Sequence, residues 1–382
     1  YGFLGVHLAA DATGAAYVTY SAIRPTAGGG TRIEPYLAKI TSRGVIEYTR
    51  RMFGTAADIG LDGEKNIYLA LSTDQPDLPT TPGALQTSPH GASLPGTTEI
   101  WLAMLDPTAA SLLGATYLGG SHNDTVTAIA VEPAARGVVY LVGKTLSDNF
   151  PLQNPAQALP ARRPGVGADS RANAFVTLVD LDAMVGGGDM RLLSSTFLGG
   201  GRDEYLSDVA IDTAGNVYVV GATNSPDVPT VSPFQSTLSE GPLFNSRGNK
   251  IGVDLSAQDL LIARYDRLVR TPQFVTYYGG AGQEGVPHLA VDVNGVVRVA
   301  AFTAGKMFSP LEDVGGHLVD RAEPIVNTAD FPTVAAVGDA AQFHGGDFRV
   351  LENLGTDGVL LQLSERGVVV VRVKPGSTAE ET

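Results

Sequence analysis

Three sets of ionisable residues recur at fixed places along this chain, and each set suggests a different chemistry. The first set follows pairs of glycines. Asp124 lies in SHND, Glu204 in GRDE and Glu284 in AGQE, each just after a Gly-Gly step. Carboxylates brought together raise each other's pKa or recruit a cation. Ca²⁺ or Mg²⁺ suits such a set, because hard cations take several oxygen ligands. The plainer reading is a solvated acidic rim. The second set opens a recurring strand and reads His7, Asp58, Ala128, Asp208, His288. Two histidines and a carboxylate, His7, His288 and Asp58, would suit a transition metal. No His-x-x-x-His spacing supports that, so locally bonded histidines are the plainer reading. The third set, Asp11, Asp62, Asp212 and Asp292, stands just ahead of a Gly, with Glu132 at the matching place in another copy. An Asp side chain can bond backbone N–H groups two residues on, so these are expected to anchor turns. The stretch from Asp292 to Gly295, DVNG, lacks the alternating acids and distal Glu of a calcium loop.

The elements that position these residues form a repeat. DVAIDTAGNVYVVGAT, from Asp208 to Thr223, holds a short alternating strand, an Asp-x-x-Gly turn and a strand ending on small residues. Four segments share its grammar: His7 to Tyr20, Asp58 to Thr73, Ala128 to Thr145 and His288 to Thr303. Such recurrence at intervals of tens of residues signals a repeat architecture. A Pro-bearing loop with a later Gln follows three of the hairpins: DLPTTPGALQ (Asp77 to Gln86), NFPLQNPAQ (Asn149 to Gln157) and DVPTVSPFQ (Asp227 to Gln235). The fifth unit has DFPT at Asp330 to Thr333, with Gln342 further on. Proline breaks strand pairing, so these loops are placed outside the sheets. The first unit has the run Gly28 to Gly30 there instead. Two further strands complete each unit. Three of the fourth strands end alike, in ATYLGG, STFLGG and VTYYGG, where the Gly pair is read as a sharp turn free of Cβ strain.

Five four-stranded units in tandem describe an all-β, five-bladed β-propeller of antiparallel blades, since each sheet must cover its faces with its neighbours. The expected blades run about 3–53, 54–119, 120–199, 200–279 and 280–375 within a single propeller of residues 1–376, followed by a polar tail at 377–382. Six or seven blades are the alternative, if Phe3-Leu4-Gly5 ends an earlier blade or the long segment Ala304 to Gly358 adds one. That segment is expected to hold extra strands or a lid. Ala161–Ala172 and Leu318–Asn327 are read as loops rather than helices, since they carry Pro or Gly. In a propeller the link after each fourth strand returns to the central channel, so Asp124, Glu204 and Glu284 would gather at one mouth.

Composition bounds the function. The 382 residues carry 46 Gly, 23 Pro and no Cys, which excludes disulfides, thiolate metal sites and Cys nucleophiles. A net charge of −14 argues against nucleic acid. The chain has no run of about 18 apolar residues of the kind a spanning helix needs. It opens at Tyr1 rather than Met, as expected of a processed or ordered part of a longer product. There is no G-x-S-x-G elbow. The glycine runs, Gly28 to Gly30 and Gly186 to Gly188, are followed by no Lys-Ser/Thr and so are not phosphate loops. Arg162, Arg163 and Arg171 form a small basic patch expected to be solvated. His90, His122, His317 and His344 are scattered through loops. Trp101 and the repeated Tyr and Phe positions are read as blade core.

The combination of YLGG, a following acid, AIAVD, a GNVYV strand and a D-F-P-T loop with its Gln resembles the bacterial β-propeller repeat family abbreviated SBBP. The likeness is strongest from Ala115 to Gly280. It implies exported or cell-surface bacterial proteins, and it carries over no catalytic residue. The family name suggests seven blades, where five are counted here. The expected function is a non-enzymatic structural or protein-interaction module of an extracellular, cell-surface or periplasmic assembly, with other protein subunits as partners and no required cofactor. A metal-dependent, lactonase-like hydrolase with a channel-mouth site and a carbohydrate-binding module are the alternatives.

Overall fold

The computed structural model describes residues 6–25, 30–54, 56–91, 96–158, 172–182, 188–239, 242–244, 250–253, 258–280, 283–292 and 296–304, together with 307–308, 311–314, 317–320, 325–326, 335–336, 357–364 and 367–373. All described secondary structure is strand and turn. No helix among these residues is long and apolar enough to cross a membrane.

Four sheets have four antiparallel strands each, joined in simple sequence order. The first holds β1 (His7–Ala10), β2 (Ala16–Pro25), β3 (Thr31–Ile40) and β4 (Ile46–Arg51). The second holds β5 (Ala56–Leu61), β6 (Ile67–Thr73), β7 (Glu99–Leu105) and β8 (Leu112–Leu118). The third holds β9 (Asp124–Val131), β10 (Val138–Thr145), β11 (Asn173–Asp180) and β12 (Arg191–Leu198). In the fourth, β13 (Glu204–Ile211) and β14 (Val217–Thr223) are followed by a side hairpin of β15 (Pro242–Phe244) and β16 (Lys250–Val253), and then by β17 (Asp259–Tyr265) and β18 (Pro272–Tyr278).

The fifth sheet starts with β19 (Gln283–Val291) and β20 (Val297–Ala304). The long segment then contributes β21 (Met307–Phe308), β22 (Leu311–Val314), β23 (His317–Asp320), β24 (Ile325–Val326) and β25 (Ala335–Ala336), before β26 (Asp357–Ser364) and β27 (Gly367–Val373). Two small ladders form within it, β21 with β24 and β22 with β23, while β25 joins the outer side of β27. Extra strands were expected there; the side hairpin of the fourth sheet was not. Leu318 to Asp320 lies in β23, so that stretch is extended as far as it is described. Ala161–Arg171, Asp330–Thr333, Gln342, Phe3–Gly5, the Arg162, Arg163 and Arg171 patch, His344 and the tail lie outside the described residues.

The chain divides into two compact units, Tyr1–Gly199 with Tyr265–Thr271, and Gly200–Arg264 with Pro272–Thr382. In the first unit, one core joins the first two sheets, with Tyr17, Leu37, Ile59, Leu69, Trp101 and Tyr117 buried. Another joins the second and third, around Tyr68, Leu102, Leu118, Val139, Phe175 and Phe197. The second sheet is therefore covered on both faces. Five of the seven residues of β6 in a row are buried. By contrast β2 alternates buried and half-buried positions, as a strand covered on one face does. In the second unit, Val220, Leu260, Ile262, Val297 and Val299 bury between the fourth and fifth sheets. Each fully buried aliphatic or aromatic side chain contributes about 2 kcal/mol. Trp101 also donates its indole N–H to the carbonyl of Pro79, at 3.0 Å.

Candidate functional site

The Pro-bearing loops run along the outer edge of their own sheets. Thr81 donates its N–H to the Ala115 carbonyl, and Tyr117 donates to that of Gln86. In the third sheet Gln153 and Ser195 exchange both backbone bonds, and Phe197 donates to Gln157. In the fourth Val231 and Val275 exchange both, and Tyr277 donates to Gln235. An open strand edge invites pairing with other chains, and these loops satisfy it from within.

The Thr, Tyr and Gln of the repeat signature hold each loop in place. Thr116, Thr196 and Thr276 accept the N–H of Gln86, Gln157 and Gln235 at 3.0, 2.8 and 3.0 Å. Tyr117 accepts from Leu78 and donates to Gln75, and Tyr277 does the same with Val228 and Ser225. The third sheet has Phe197 in that place, 6.5 Å from the Phe150 ring. The Gln side chains then imitate a peptide. Gln86 accepts the N–H of Gly119 and donates to its carbonyl, both at 2.9 Å. Gln157 does so with Gly199 at 3.2 Å. Gln235 accepts from Gly279 and donates to Asp259.

The acids after the glycine pairs sit in this packed region. Asp124, Glu204 and Glu284 are 0%, 1% and 1% exposed. A solvated rim is therefore corrected to a buried position. Asp124 accepts from the Gly120 N–H at 2.6 Å, from the Ser147 hydroxyl at 3.0 Å and from the Thr145 hydroxyl. Glu204 accepts from the Thr223 hydroxyl at 2.9 Å. Burial pushes Asp124 up to about 6 and Glu204 up to about 8, against the pull of those donors.

A second acid stands beside two of these three. A Cβ on Gly119 would lie 2.5 Å from Glu99 Cγ and 2.7 Å from Asp124 Oδ2. A Cβ on Gly279 would lie 2.6 Å from both Asp259 Oδ1 and Glu284 Oε2. Neither glycine has a positive φ. The first Gly of the pair is thus required by close approach of carboxylates, which corrects the turn reading. Glu99 and Asp259 were not singled out by sequence reasoning. Their only signal was an acid opening the third strand in ATYLGG-type units. Burial raises Glu99 too, while it accepts N–H bonds from His90 and Gly91.

The strand-opening set is arranged in pairs. Asp58 accepts the N–H of Ile129 in the next sheet at 2.9 Å, and its own Ile59 N–H at 2.8 Å. Asp208 repeats this with Leu289 and Val209 at the same two distances. His7 lies 3.8 Å from Asp58, and His288 lies 3.5 Å from Asp208. Burial lowers the pKa of His7 and raises that of Asp208. Among the described residues no group of three or more His, Asp or Glu is placed to hold a metal ion.

The turn set has one geometry. Asp62 accepts from Glu64 and Asn66 N–H with one oxygen, and from the Asn66 amide and Tyr68 hydroxyl with the other, all at 2.8–2.9 Å. Asp212 has the same four partners in Ala214, Asn216 and Tyr218. Burial works to raise Asp212, but the bonds from Asn216, Tyr218 and Ala214 outweigh it and hold it below the usual range. Asp11 bonds Thr13 and Ala15 and pairs with Lys65 at 2.9 Å. Asp292 accepts from Val296 and from Arg298. At the matching place Glu132 pairs with Arg267, 3.3 Å away.

Sheet after sheet of antiparallel strands, three of them edged by their own loops, makes this an all-β repeat protein. The family model of SBBP, a Beta-propeller repeat, matches residues 195–226. That window runs from the end of β12 through the Gly pair, Glu204 and the Asp212 turn to the start of the Pro loop. A comparison with curated proteins finds no match.

Proposed function

We propose that this chain is a non-enzymatic structural or protein-interaction module, exported from a bacterial cell, whose sheets form a five-bladed β-propeller. One observation carries the reading. The polar residues that recur from unit to unit bond the repeat itself: Gln to glycine, Asp to turn N–H groups, Asp58 and Asp208 to the neighbouring sheet. What varies is loop length and surface, and that is where a rigid repeat scaffold carries its contacts. The propeller-repeat match and a Cys-free, acidic composition support export and the propeller geometry.

Cross-linking mass spectrometry on native material tests this reading. Reproducible links to neighbouring subunits are expected, and a strictly solitary protein overturns it. Elemental analysis after dialysis against chelator gives an independent check. A stoichiometric, tightly held transition metal would favour hydrolase chemistry instead.

A further inference from the structure

The first sheet differs from the next three at its outer edge. Its β2 and β3 pair without interruption from Ala16↔Ile40 to Pro25↔Thr31. The pairing thus runs past Ala22↔Glu34, the pair that matches Thr73↔Glu99, after which the second sheet sends out its Pro loop. Correspondingly, five of the six residues of β4 are exposed. The register shift before the last pair aligns β4 with β8, so that Ile40↔Ile46 matches Leu105↔Leu112. Thr49 then occupies the place of Ala115, Arg50 that of Thr116 and Arg51 that of Tyr117. In the second sheet the backbone of Ala115 and Tyr117 faces outward and is met by Thr81 and Gln86. Among the described residues nothing meets the matching backbone groups of Thr49 and Arg51.

We infer that the outer edge of β4 is a docking site for an extended acidic segment with the Asp-x-Pro-Thr…Gln character of this repeat, presented by a separate repeat-bearing protein. The structure shows twice what such a segment does on such an edge, in the second and fourth sheets, and the third sheet's loop, Asn149 to Gln157, lies along its edge in the same way without the Asp and Thr. Charge says why this edge takes a segment in trans. Asp77 and Asp227 lie near enough to Tyr117 and Tyr277 to act on them electrostatically. The first sheet puts Arg51 at that position, and Arg50 beside it. Glu34 is the acid already facing Arg51, and it is also held by Arg32 and by the Tyr36 hydroxyl. Charged residues on an open edge discourage indiscriminate pairing, so an incoming strand must match them. This inference narrows the interaction reading and rests on it for its biological use.

The probe is a fluorescein-labelled peptide of the sequence Asp77–Gln86, titrated by anisotropy against the whole chain. Saturable binding is expected, weakened at least about tenfold both by Thr49→Pro, which removes an outward N–H, and by Arg50→Glu with Arg51→Glu. Hydrogen exchange reads the same edge without a variant: the amides of Thr49 and Arg51 exchange fast in the free chain and slow with peptide. The inference is overturned by no saturable binding, by binding indifferent to both variants, or by Thr49 and Arg51 amides already protected in the free chain. The charge-reversed variant and the exchange measurement keep it decidable if Thr49→Pro does not fold. Failure here leaves cross-linking to other subunits free to succeed, so the two readings fall separately.

Discussion

Asp212 and Glu204 lie on either side of the same strand, and the protein treats their carboxyl groups in opposite ways. Asp212 stands at a turn and accepts four hydrogen bonds, two of them from backbone N–H groups. Its carboxylate is favoured. Glu204 is buried behind a glycine pair, and its neutral form is favoured. Residue type alone therefore says little; the supply of donors against the loss of water decides the charge. The same contrast separates Asp11 from Asp124.

The largest effect is expected where the buried acids are packed most tightly. Gly119→Ala places a Cβ against Glu99 and Asp124 and should cost about 3 kcal/mol in urea unfolding. A loss under about 1 kcal/mol would show that the acid pair yields easily, and the contrast with the turns would weaken. Next comes Asp62→Ala, which strands two backbone N–H groups, an amide and the Tyr68 hydroxyl; about 2 kcal/mol is expected by the same measurement.

The pH dependence sharpens the comparison further. Glu204 binds a proton more tightly folded than unfolded, so its ionisation destabilises the folded state as pH rises from the ordinary Glu range towards about 8. Asp124 acts likewise up to about 6. The midpoint of thermal unfolding should fall by several degrees between pH 5 and pH 8.5. Glu204→Gln should flatten the upper part of that fall. A midpoint that rises over this range contradicts the burial argument. The smallest effect belongs to Asp11→Asn, which keeps a side-chain oxygen for the N–H groups of Thr13 and Ala15 and loses only the charge facing Lys65, whose own side chain is 39% exposed: about 1 kcal/mol, seen mainly at low salt.

Much of the fold could be read from the chain. Alternating strands and Asp-x-x-Gly turns announce themselves locally, since their hydrogen bonds join residues two and four apart. The Gly-Gly signature was visible, but its reason was not. Asp124 follows Gly119 closely in the chain, but Glu99 reaches the same glycine from the start of the third strand, and no local pattern states that both crowd it. Gln86 reads as part of a motif, yet its bonds to Gly119 span the third and fourth strands. The burial of Asp124, Glu204 and Glu284 was missed for a related reason. An acid beside a Gly pair looks like a loop residue until the Pro loop is laid over the strand edge.

That loop has one more consequence. A sheet whose edge cover is encoded between its own second and third strands is self-contained in a single continuous stretch. It can be copied in tandem, or lengthened at the loop, without leaving a new adhesive strand in the product. Gene duplication can then extend the array one cassette at a time, and each new member arrives already protected from clumping with its siblings.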